Sequence, residues 1–136
     1  MNGYKILVVD DEPDLLRLLE VAFGQRGHCV LTAATGVEGL VAAEGERPDV
    51  ILLDIIMDGM DGWEVLKLLK LDPDTRDIPV VMLSARVEPR DKIRGLQEGA
   101  VDYVTKPFSV RELVATVESV LERRAVPHAS LKEGHG

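Results

Sequence analysis

The chain alternates between short unbroken apolar runs and longer stretches in which apolar residues recur every three or four positions. Ile6–Val9, Val50–Leu53 and Val80–Leu83 are the runs, each bounded by charged or turn-forming residues, and Cys29–Ala33, interrupted by Thr32, reads as a further strand. Such runs read as strands buried on both faces, the kind found in parallel sheets. The segments between them read as helices. Pro13 suits a first helical turn, where a missing N–H costs nothing. Leu15, Leu18, Leu19 and Ala22 then repeat at helical spacing until Gly24 and Gly27 stop the pattern. Thr35-Gly36-Val37-Glu38 opens a second helix as a capping box, with Val37, Leu40 and Val41 expected to face inward, and Gly45 and Pro48 end it.

Trp63 to Leu71 form a third helix capped by Asp61, followed by the loop DPDTRDIP. Pro89 to Glu98 form a weaker fourth helix, in which only Ile93 and Leu96 are clearly apolar, and Tyr103 to Thr105 a short fifth strand. A second capping box, Ser109 to Glu112, opens the last helix, which should bury Val110, Leu113, Val114, Val117 and Leu121. Strand and helix alternate five times, which predicts a parallel sheet covered by helices on both faces. Periodicity ends after Arg124. Residues 1–124 are therefore expected to form one domain and 125–136 a flexible tail.

Composition narrows the function. A chain of 136 residues suits one domain with a real core. A formal net charge of −8 argues against direct nucleic-acid binding, because phosphates would be repelled. The single cysteine, Cys29, excludes an internal disulfide and fits a reducing compartment; its apolar run predicts burial. No run approaches the ~20 apolar residues of a membrane span. The N-terminus meets acidic residues too soon for a signal peptide, so a cytoplasmic protein with no membrane partner is expected.

In a parallel sheet, strand ends of one polarity share an edge. Asp10 and Asp11 end the first strand, Asp54 the third and Ser84 the fourth, and Lys106 follows the fifth. Right-handed crossovers bring the first, third and fourth strands together in doubly wound sheets, whose ligand sites lie at the carboxyl ends. Three clustered carboxylates are unfavourable unless a cation binds or one takes up a proton. All-oxygen ligands that must also accept phosphate suit Mg²⁺, with Mn²⁺ as a substitute. An Asp beside such an ion and a lysine is equipped to attack a phosphoryl group and hold an acyl phosphate. Asp54 is thus a candidate phosphoacceptor, with Lys106 and Ser84 ready to meet phosphoryl oxygens.

Asp10-Asp11, Ile51-Leu52-Leu53-Asp54, Ser84-Ala85 and Lys106-Pro107-Phe108, in that order, resemble the receiver domain of two-component response regulators over residues 4 to 124. The resemblance implies a flavodoxin-like (βα)5 fold, an α/β doubly wound sandwich with strand order 2-1-3-4-5. It implies phosphorylation of Asp54, and Mg²⁺ on Asp11 and Asp54, with Asp10 nearby through water and the backbone carbonyl of Ile56 as a further ligand. It also implies a cis Lys106–Pro107 bond and a switch in which Ser84 moves toward the phosphoryl group while Tyr103 turns inward. The expected donor is a sensor histidine kinase or phosphotransfer protein, meeting the first helix and the loop beyond Lys106. The fourth helix, fifth strand and fifth helix would meet the target. No output domain follows in this chain, so a downstream protein partner is expected, with the receiver a monomer or a phosphorylation-promoted homodimer. Such a protein is a switch, not an enzyme, promoting only its own phosphotransfer and dephosphorylation.

Three positions depart from or tune the family pattern. Asp58 stands where a proline is usual, and Ile56 and Arg86 stand where water access to the acyl phosphate is set. A flavodoxin-type cofactor binder would need a phosphate loop where Asp10-Asp11-Glu12-Pro13 stands. A phosphohydrolase of the haloacid-dehalogenase kind would need a second Asp at Ile56. A degenerate receiver acting by binding alone is the nearest alternative, and it is disfavoured because all the site residues are present.

Overall fold

Along Lys5–Val9 (β1) successive side chains point to opposite faces, and neither face meets water: Ile6, Leu7 and Val8 are fully buried. The same holds for Val50–Asp54 (β3) and Val80–Ser84 (β4), so all three lie inside the sheet. The computed structural model describes residues 3–85 and 89–125. Cys29–Ala33 (β2) and Asp102–Thr105 (β5) complete a five-stranded sheet, parallel throughout, in the expected order β2-β1-β3-β4-β5. Pro13–Gly24 (α1), Gly36–Glu46 (α2), Gly62–Leu71 (α3), Pro89–Gln97 (α4) and Val110–Ala125 (α5) alternate with the strands.

Two apolar layers hold the helices to the sheet. Ile6, Val8, Leu52 and Leu83 face Leu19 and Phe23 of α1 and Leu113, Val117 and Leu121 of α5. Leu7, Val9, Leu53 and Met82 face the other way, against Ala43 of α2 and Val65, Leu66 and Leu69 of α3. Alternation along the strands thus assigns each helix a face, and the carboxyl ends are left open above both layers.

The helix starts follow local chemistry. Thr35 and Asp61 accept hydrogen bonds from the Glu38 and Glu64 N–H groups at 3.1 and 3.0 Å, and Ser109 caps Glu112 at 3.3 Å. The reciprocal arm of the first box differs from expectation: the Glu38 carboxylate reaches the N–H of Ala34, not that of Thr35.

Three expectations about burial are corrected. Val37 and Val41 are 59% and 68% exposed, and Leu40 only half-buried; Gly36, Gly39 and Ala43 take the inward side instead, Gly36 against Val65 and Met60 and Gly39 against Val9. A Cβ on Gly39 would lie 2.8 Å from Cγ2 of Val9, so α2 approaches too closely for larger residues on that face. Cys29 is exposed, because it opens β2 at the edge of the sheet. In α1, Leu18 is exposed and Phe23 takes a core position. Arg86 and residues 126–136 of the expected tail lie outside the described residues.

Candidate functional site

The carboxyl ends of β1, β3 and β4 meet at one edge, in register Val9 to Leu53 and Asp54 to Leu83. Asp10 follows β1 directly and is fully buried; its backbone N–H donates to the Ala33 carbonyl at 3.0 Å. One carboxylate oxygen accepts the Glu12 N–H at 2.9 Å, the other the Lys106 ammonium at 2.7 Å. Asp54 ends β3 at 4% exposure, and Asp11 beside it is exposed. Carboxylate oxygens of Asp10, Asp11 and Asp54 all lie within 4.8 Å of one another.

Backbone contacts hold this edge in place. The Ile55 N–H donates to the Leu83 carbonyl at 2.9 Å, and the Gly62 N–H to the Ile55 carbonyl at 2.8 Å. A Cβ on Gly62 would fall 2.3 Å from the Asp54 carbonyl oxygen, so only glycine lets α3 begin against the strand end. The Lys106 N–H donates to the Ser84 carbonyl at 2.6 Å, and the Lys106–Pro107 bond is cis. The Lys106 ammonium lies across the edge, 3.6 Å from Asp54 and 3.0 Å from Glu12.

Electrostatics at this edge are unbalanced. Burial pushes the Asp54 carboxyl up to about 6; the charges of Asp10 and Asp11 push the same way, against Lys106 and the Ile56 N–H. Burial also works against the Lys106 ammonium, yet hydrogen bonds to Asp10 and Glu12, with the charges of Asp10 and Asp54, hold its pKa above the ordinary lysine value. Among the described residues, one lysine faces four carboxylates here. A hard cation would relieve the surplus, and a set of oxygen donors suits one.

Asp11, Glu12, Asp54, Ile56, Ala85 and Lys106 line an open cavity of about 190 Å³ at this edge. Ser84 is buried at the end of β4, one residue before Ala85 of the cavity wall. Tyr103 is also buried, on β5 opposite Met82. Asp58 is exposed. Glu12 was not among the sequence-predicted site residues, although it continues the acidic pair. Gly62 was also missed; only its Gly-rich setting hinted that backbone approaches closely there.

The family description "Response regulator receiver domain" matches residues 6–118. The chain belongs to that family. The receiver of the Francisella response regulator 1452 superposes with a TM-score of 0.84 at 34% identity, covering 90% of this chain and 99% of that one. The alkaline phosphatase synthesis transcriptional regulatory protein PhoP of Bacillus subtilis is 45% identical over 94% of this chain and 53% of its own length. The DNA-binding dual master transcriptional regulator RpaA of Synechocystis is 39% identical over 93% and 53%. This receiver spans about half the length of the curated relatives it matches.

Those relatives correct the expectation of no nucleic-acid partner and of a response passed on through a protein partner. They are transcriptional regulators, and RpaA is DNA-binding by name. The repulsion expected from a charge of −8 applies to the surface of this receiver and does not extend to the rest of such proteins. No helix among the described residues is long and apolar enough to cross a membrane.

Proposed function

We propose that this receiver accepts a phosphoryl group on Asp54 from the phosphohistidine of a kinase or phosphotransfer protein, in the cytoplasm. The observation that carries the reading is the pairing of a buried Asp54 with two further carboxylates within 4.8 Å and a lysine ammonium at 3.6 Å. An oxygen of Asp54 forms the new bond to phosphorus as the P–N bond to the donor imidazole breaks, and the leaving nitrogen keeps the electron pair and takes up a proton. Lys106 is held by Asp10 and Glu12 where it can pair with a phosphoryl oxygen. Asp10, Asp11 and Asp54 would hold Mg²⁺, with the Ile56 carbonyl as a further ligand. When bound, the ion supplies charge neutralisation for the transferred group.

The chain is then a switch and not a turnover enzyme. Ser84, at the end of β4, and Tyr103, on β5, would carry the change to the α4–β5–α5 face. In a protein of the relatives' length that change would control a transcriptional output.

Intact mass after incubation with acetyl phosphate, with and without Mg²⁺, tests the reading. One added phosphoryl group is expected, absent without Mg²⁺ and absent in Asp54→Asn. An adduct that survives in Asp54→Asn would move the acceptor elsewhere. Failure to bind beryllofluoride, which a competent site holds without hydrolysing it, would favour a receiver that signals by binding alone.

A further inference from the structure

α2 and α3 lie side by side on one face of the sheet, and the groove between them is lined by Leu40, Glu44, Leu68, Leu71 and Asp72. The groove has a volume of about 370 Å³ and is floored by Leu69 and Thr75. Its apolar walls continue outward. Val37 and Val41 lie within one helical turn of Leu40, on the flank that carries Glu44, and are 59% and 68% exposed. On α3, Leu68 and Leu71 are 41% and 67% exposed. With Gly36 packed against Val65 of α3 and Gly39 against Val9 of the sheet, the larger side chains of α2 turn outward. Two helices thus present exposed apolar side chains on either side of one groove, the kind of exposed patch that marks a binding surface.

Charge selects the occupant. Glu44 and Asp72 line the groove itself, and Glu64 lies one helical turn before Leu68 on the same flank. Among the cations nearby, Arg47 pairs with Asp74 at 3.4 Å and Lys70 turns its ammonium onto the carbonyls of Arg76 and Ile78, while neither Lys67 nor Arg76 lines the groove. A second copy of this chain would bring the same carboxylates against each other, which disfavours self-pairing. We infer that the α2–α3 face binds an amphipathic helix of a partner protein that carries apolar anchors flanked by lysine or arginine. Apolar anchors at i, i+3 and i+7 would fill the groove while basic residues meet Glu44, Glu64 and Asp72. The face is built from neither α1 nor α4 and α5, so it leaves the phosphodonor and output surfaces free.

The test uses the full chain, isotope-labelled, and a designed leucine/lysine amphipathic peptide of about 15 residues, roughly four helical turns. Its controls are a scrambled peptide and a leucine/glutamate counterpart. Amide shifts confined to α2 and α3, given by the basic helix alone, are expected. Val41→Ser combined with Leu71→Gln should weaken binding about tenfold or more, and Glu44→Lys with Glu64→Lys should do the same. Both pairs change exposed positions, and unchanged thermal unfolding would verify the fold of each variant. Shifts centred on α1, α4 or α5, equal binding of the acidic peptide, or no binding would overturn the inference. Self-association of the chain, lost in Val41→Ser/Leu71→Gln, would overturn it by assigning the face to a second copy.

Discussion

Asp54, the proposed acceptor, is a source of instability when no cation is bound. Its carboxyl is raised to about 6 by burial, with Asp10 adding to the effect. A raised acid binds its proton more tightly folded than unfolded. The stability this gives is fully present below the unfolded value near 3.8 and is lost as pH rises through about 6. Asp54→Asn never carries the charge. In a chelator it should match wild type in urea unfolding at about pH 4 and exceed it by on the order of 1–2 kcal/mol at about pH 8, after allowance for solvent screening. Added Mg²⁺ should then stabilise wild type more than the variant, narrowing the gap. A gap that is constant from low to high pH would show that the carboxylate is already balanced by Lys106.

The elements show where apolar periodicity is a sufficient guide and where it is not. All ten were legible in the sequence, and the sheet-end convergence of Asp10, Asp54, Ser84 and Lys106 followed from the strand endings together with the right-handed crossovers of a doubly wound sheet. α2 is the failure. Counting apolar residues put Val37 and Val41 inside, whereas close approach to Val9 reserves that side for glycine and alanine. Edge position, which exposes Cys29, depends on strand order, and a linear pattern does not contain it. Glu12 and Gly62 escaped for a related reason: their roles depend on Lys106 and on the Asp54 backbone, both remote in sequence. Two glycines of α2 provide a test of this account. Gly39→Ala gains about 1 kcal/mol of helix propensity but forces a methyl to 2.8 Å from a buried Val9, which costs about 1–3 kcal/mol. Gly45 faces open space, so Gly45→Ala should keep the whole gain. In chemical denaturation Gly45→Ala should therefore stabilise, while Gly39→Ala should be neutral to destabilising by up to about 2 kcal/mol; stabilisation by both would mean that α2 can shift away from the sheet at little cost.

At the scale of the whole molecule, the question is how an event at Asp54 reaches a distant surface. Gly62 packs on the Asp54 carbonyl and begins α3, and Trp63 is the next residue. The Arg94 guanidinium of α4 lies 4.3 Å from the Trp63 ring centroid, a cation–π contact, and Arg94 also pairs with Glu98 one turn on. Gly95 sits at the junction: a Cβ there would lie 3.7 Å from the Tyr103 ring and 3.8 Å from Trp63. The end of β3, α3, α4 and β5 thus meet around the only tryptophan of the chain. If phosphorylation shifts the loop after Asp54 or repacks Tyr103, the stacking of Arg94 on Trp63 must change, and indole emission with it. Beryllofluoride in the presence of Mg²⁺ should therefore alter Trp63 fluorescence in wild type and leave Asp54→Asn unchanged. Arg94→Ala should reduce the change while mass spectrometry still detects acetyl-phosphate labelling, because Arg94 touches the reporter and not the acceptor. Unchanged emission in a fully liganded wild-type sample would break this route, and the signal would then have to leave the site through Ser84 and β4 without disturbing the junction of α3 with α4.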